Sequence, residues 1–144
     1  MSVKRATIVA AARRWIGTPY RHQASLVNAG CDCLGLIRGV WREVIGEEPE
    51  EAPPYTPDWG EALGVEVLLD AANRHFRPAP PDDFRAGDVL VFRFRDNLPA
   101  KHLGIATSPT HMVHAHSGAR VAEVAIGHWS KRIAAVFAFP GVVD

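Results

Sequence analysis

The chain has 144 residues, 47% of them apolar and 22% charged, which is enough to bury one core and too few for two ordinary domains. Sixteen basic residues balance sixteen acidic ones, so no overall field draws the protein to nucleic acid or to an anionic membrane, and specificity must come from a local site. No stretch approaches the roughly 20 apolar residues that span a bilayer. The short apolar run at the N-terminus is interrupted by Arg13 and Arg14 and lacks the features of a secretory signal, which implies synthesis in a reducing compartment.

Ile8, Ala11, Ala12 and Trp15 recur at helical spacing and predict a first helix over 7–15, stopped by Gly17, Thr18 and Pro19. Leu34, Ile37, Trp41 and Val44 form one stripe of a second helix from Cys33 to about Ile45, with Gly46 past its end. The acidic, proline-rich run EEPEEAPPYTPD (47–58) reads as an extended surface excursion. A third helix is expected from Asp58 as cap through His75, with Ala62, Val65, Leu69 and Ala72 inward, before Pro78, Pro80 and Pro81 break the chain. The period then changes: 88–94, 102–107, 111–116, 119–126 and 134–139 are short β-rich runs between turn residues. Helices followed by a meander-like sheet make an α+β fold, N-terminal helices packed on a C-terminal antiparallel sheet.

Only two cysteines occur, Cys31 and Cys33. They are too close in sequence for a good disulfide, and a zinc site would need two further ligands. Asp32 is a good N-cap, which puts Cys33 in the first helical turn, where unpaired N–H groups and the helix dipole favour a thiolate nucleophile. Cys31 precedes the cap and fits a small buried hydrophobe. A thiol nucleophile needs a base. Of seven histidines, His22, His75 and His128 lie in loop or helical surroundings, whereas His102, His111, His114 and His116 lie in two adjacent β runs. In a hairpin turning near 108–110, His102 sits opposite His114 or His116, depending on the turn centre, and His111 points to the other face. Two imidazoles so placed suit a triad in which one orients the other.

The runs GTPYRHQ (17–23), CDCLGL (31–36), GDVLVF (87–92), HLGIA (102–106) and MVHAHSG (112–118) resemble, in order and spacing, the NlpC family of papain-like cell-wall cysteine peptidases. The resemblance spans nearly the entire chain and implies a single peptidase domain, 1–144, of papain-like NlpC fold. It implies Cys33 as nucleophile, His102 as base and His114 as the third, orienting residue, with no cofactor and no metal. Tyr20 matches the family tyrosine beside the nucleophile and would help hold the oxyanion, and Asp32 would meet the amine end of the substrate. The implied partner is the peptidoglycan stem peptide, cut between D-glutamate and a diamino acid such as diaminopimelate. The chain departs from the family run D-C-S-G-L at Leu34, where the helical spacing to Ile37 favours an inward side chain. The proline-rich insertion and missing signal resemble the branch encoded by phages and gene-transfer particles, which implies tail proteins as partners and action in the wall after synthesis in the cytoplasm. Rival expectations are a thiol-dependent amidase or acyltransferase on another amide, a non-catalytic tail or wall-binding subunit, and a metal module using Cys31, Cys33, His102 and His114, which the cysteine spacing disfavours.

Overall fold

A computed structural model describes residues 2–52, 54–56, 59, 64 and 66–144. In chain order the elements are β1 (Val3–Lys4), α1 (Arg5–Arg13), β2 (Ser25–Leu26), β3 (Gly30–Cys31), α2 (Cys33–Val44), α3 (Val67–His75), β4 (Arg77–Ala79), β5 (Val89–Phe92), β6 (His102–Ala106), β7 (His111–His114), β8 (Ala122–Ala125), a 3-10 turn (Gly127–Arg132), β9 (Ile133–Ala138) and β10 (Val142–Val143). Strands β4 to β9 form one antiparallel sheet in the order β4-β9-β5-β6-β7-β8. The fold class is therefore α+β, as the change of period implies, and β5 to β8 run as a meander.

Strand alternation sends side chains to two covers. Val89, Val91, Leu103, Ile105 and Val113 join Ile8, Leu36, Val40 and Trp41 in the cluster beneath the helices. Leu90, Phe92, Ala106 and Met112 pack on the other side with Ile126 and Trp129. Leu36 and Val40 are fully buried, and each such side chain contributes roughly 1.5–3 kcal/mol, so α2 is pinned to the sheet along its length.

Three expectations change. The first helix is shifted to Arg5–Arg13, and Trp15 enters the core from the turn that follows it. Pro78 does not break the chain at once: Arg77–Ala79 is an edge strand paired with β9, and an outermost strand tolerates a missing N–H. The third helix begins, among the described residues, at Val67, with Leu68 and Ala72 buried; Asp58, Ala62 and Val65 lie outside the described residues.

Candidate active site

The local sequence builds a tight turn at the start of α2. Asp32 Oδ1 accepts from Gly35 N at 2.7 Å, a cap contributing about 1 kcal/mol. Gly35 allows the preceding loop to cross the first turn: a Cβ there would lie 1.8 Å from the Ala24 carbonyl oxygen. Cys33 is 5% exposed. Backbone N–H groups of Leu103, Leu34 and Cys33 itself face its sulfur, and each lowers the thiol pKa. They do not prevail. Burial, followed by the Asp32 charge, pushes Cys33 up to about 12, so the expected resting thiolate is replaced by a neutral thiol: helix-end N–H groups do not repay the lost hydration of a sulfur anion.

Leu103 follows His102, so α2 delivers the sulfur to the start of β6. The ladder between β6 and β7 ends at the Gly104–His114 pair, which leaves this end of β6 open to the helix turn. The register centres the hairpin on 109 and, extended by two residues, sets His116 opposite His102, with His114 on the diagonal. The hydrogen bond nonetheless goes to the diagonal partner: His102 Nε2 and His114 Nδ1 are 2.8 Å apart. Gly104 permits it, since a Cβ at that position would come within 2.9 Å of Met112 Sδ and 3.4 Å of His114 Cβ. His116 is exposed and stacks on His114 at 5.7 Å. Trp129 lies 5.2–5.5 Å from all three imidazoles. His111 is exposed at the start of β7, out of phase with His114.

Burial, then the neighbouring charges of His114 and His116, holds His102 well below the usual imidazole range. Burial and His116 lower His114 to about 4. Both rings are neutral at pH 7, so one nitrogen of the 2.8 Å contact donates and the other accepts. A stability change follows. Below about pH 6.5 the unfolded chain binds a proton at His114 that the folded protein refuses until about pH 4, so stability falls as pH drops through that window. The loss is expected to be about 3 kcal/mol, and urea midpoints for the wild type and His114→Asn between pH 7 and pH 4 should show a shallower slope in the variant.

Tyr20 is held beside this turn by backbone. Cys31 N donates to Pro19 O at 3.1 Å and Arg21 N donates to Cys31 O at 3.0 Å. Cys31, fully buried, thus supports the Tyr20 segment. Burial, then the Cys33 and Asp32 charges, raises the Tyr20 phenol to about 12, so it remains a donor at neutral pH.

Asp32 is 2% exposed. Its Oδ2 accepts from Gln23 N at 2.7 Å and from the Tyr55 hydroxyl, with His22 Nδ1 at 3.8 Å. Tyr55 also stacks on Trp59 at 4.0 Å and meets the His22 ring edge-on at 5.0 Å. The described part of the proline-rich segment is therefore an extended surface strap, as expected, that is also tied to the turn at the start of α2. Neither Tyr55 nor Trp129 is picked out by sequence reasoning; the aromatic residue inside an otherwise polar, proline-rich run is the signal that marked Tyr55.

Leu34 is half-buried. It packs against the helix-side core and also borders a cavity of about 140 Å³ with Ile37, Tyr55, Trp59 and Leu103. Leu34→Ser should cost roughly 1–2 kcal/mol, read as a lower melting temperature; an unchanged value would mean that the side chain contributes only to the cavity wall.

The NlpC/P60 family profile matches residues 17–138. The chain belongs to the NlpC/P60 family. The fold is that of the family: the chain superposes on the NlpC/P60 domain of the peptidoglycan hydrolase SagA with a TM-score of 0.67 at 22% identity, covering 95% of this chain and all of that one. An NlpC/P60 family protein from Bacillus cereus gives 0.70 at 12% identity, over 96% of this chain and 41% of the other. NlpC1 from Trichomonas vaginalis gives 0.64 at 16%, over 92% and 42%. The chain thus matches the whole SagA domain and about two fifths of the length of the latter two. No curated protein matches it in sequence at a significant level. Among the described residues, no group of three or more His, Cys, Asp or Glu side chains is placed to hold a metal ion, and no helix is long and apolar enough to cross a membrane.

Proposed function

We propose that this NlpC/P60 protein hydrolyses an amide bond in the stem peptide of bacterial cell wall, with Cys33 as nucleophile, His102 as base and His114 as the residue that orients it. The observation that carries the reading is the buried 2.8 Å contact between His102 Nε2 and His114 Nδ1, next to the strand end that receives the Cys33 sulfur. For His102 to take a proton at Nδ1, its Nε2 must carry the hydrogen and donate to His114 Nδ1, which fixes His114 as the Nε2–H tautomer. Because thiol and imidazole are both neutral at rest, proton transfer accompanies attack. The Cys33 sulfur bonds to the carbonyl carbon as its proton passes to His102. The Cys33 N–H and the neutral Tyr20 hydroxyl support the oxyanion. His102 then gives the proton to the leaving nitrogen, the C–N bond breaks, and water, deprotonated by His102, releases the acyl group and restores the thiol.

Asp32 serves this chemistry through the turn, accepting hydrogen bonds from Gly35 N, Gln23 N and the Tyr55 hydroxyl; a substrate amine competes with the Tyr55 hydroxyl for its carboxylate. The substrate class rests on family membership and on the activity named for SagA, and the bond is the D-glutamyl–diaminopimelate amide. Digestion of purified peptidoglycan followed by mass analysis should yield fragments with a new diaminopimelate amine terminus. Intact stem peptides, or an acyl group carried to another amine, would remove the hydrolase reading. We also place the enzyme with a phage-like tail that carries it from the cytoplasm to the wall, a reading that rests on the proline-rich insertion; its absence from purified particles by mass spectrometry would remove it.

A further inference from the structure

A cleft of about 650 Å³ opens between the loop 93–101 and the turn Gly127–Arg132, walled by Phe94, Arg95, Lys101, His116, Trp129 and Arg132. It lies beside the buried His102, separated from it by its own wall. Lys101 precedes His102 in the chain, Trp129 lies 5.2 Å from the His102 ring and His116 lies 5.5 Å from it.

Its charged lining is wholly basic. Most other arginines face a carboxylate: Arg5 faces Asp88 and Asp144, Arg13 Glu123, Arg14 Glu43, Arg38 and Arg42 Glu48, Arg74 Glu50, Arg85 Asp144 and Arg93 Glu66, while Arg21 and Arg120 reach only backbone carbonyls. Among the described residues Arg95 and Arg132 have no carboxylate partner, and no Asp or Glu lines the cleft. Arg132 is braced across it by donating to the Phe94 carbonyl, and Lys101 Nζ lies 4.9 Å over the Phe94 ring. In a chain of zero net charge, two arginines without a carboxylate partner on the wall of a concave site near the base mark a place for an anion.

We infer that this cleft binds a carboxylate on the residue that supplies the leaving amine, with Arg95 and Arg132 as its specificity determinants. The inference rests on the peptidase reading above. His102 hands its proton to the leaving nitrogen, so the groups attached to that nitrogen lie on the imidazole side of the sulfur, where the cleft opens. Phe94 and Trp129 offer apolar walls to a methylene chain, and the arginines receive the carboxylate at its end. Diaminopimelate has that shape; lysine has the same chain without the terminal carboxylate.

The test uses two stem peptides identical except for diaminopimelate or lysine after D-glutamate. The full chain should favour the diaminopimelate peptide in kcat/KM by roughly tenfold or more, the range of one charge-assisted hydrogen bond. The ratio should fall toward unity in Arg95→Gln and Arg132→Gln, and stay at the wild-type value in Arg77→Gln, which removes an exposed cation outside the cleft. Calorimetric binding of both peptides to Cys33→Ala gives the same comparison without turnover. Equal treatment of the peptides by wild type, or a ratio unmoved by both cleft variants, overturns the inference. If neither peptide is cut, the peptidase reading fails, and the binding ratio in Cys33→Ala and its arginine double variants still decides the cleft: a preference lost on removing the arginines upholds it, and no preference or no binding overturns it.

Discussion

Cys33→Ala is expected to abolish stem-peptide cleavage, by on the order of 10⁴-fold or more, because the proposed acyl intermediate forms on its sulfur. Cys31→Ala should retain turnover near the wild-type value. The two cysteines are two residues apart, both are buried, and both thiols are held near 12, Cys31 by burial and then the Asp32 charge; acidity does not separate them. Position does. The Cys33 sulfur faces the Leu103 N–H at the start of β6, whereas Cys31 is paired through its backbone with the Tyr20 segment. Chromatographic cleavage assays with melting temperatures for both variants settle it: a folded Cys31→Ala protein as inactive as Cys33→Ala would reverse the assignment.

His102→Ala should follow, with a loss of roughly 10²–10⁴-fold from the missing proton transfer. His114→Ala should fall between that variant and wild type, since the base remains and only its tautomer and ring plane are released. His116→Ala should cost least, because its exposed ring stacks near the pair without entering the hydrogen bond. The register gives this series its force. By strand pairing alone His116 faces His102, and by hydrogen bonding His114 does. A His116→Ala variant more damaging than His114→Ala would show that strand pairing, and not the observed contact, governs the catalytic arrangement.

What was legible in the sequence was local. Asp32 before an apolar stripe announces a capped helix, and the alternation in 88–94 and 102–107 announces strands of a meander. The parity of His102 with both His114 and His116 is likewise a sequence property; the choice between them is not, since it depends on the empty space that Gly104 leaves beside Met112. The edge strand Arg77–Ala79 was hidden because proline marks a break unless a strand's free side is known. The neutral thiol was hidden for a related reason. Helix-end stabilisation can be read from the Asp32–Cys33 spacing, but the opposing loss of hydration comes from β6 closing over the sulfur. The Tyr55 strap joins positions 23 residues apart through the Asp32 carboxylate, and no short-range pattern encodes such a contact.

The neutral resting thiol has a consequence for the protein's lifetime. Peroxide converts cysteine to sulfenic acid through the thiolate, and further oxidation to the sulfinic state is irreversible for most proteins. A sulfur that keeps its proton up to about 12 and is 5% exposed presents oxidants with almost no reactive species at rest, and on the proposed mechanism only a bound amide draws that proton onto His102. On that mechanism nucleophile readiness is traded for endurance, so that damage is expected to accumulate with turnovers and not with time spent waiting in an oxidising medium.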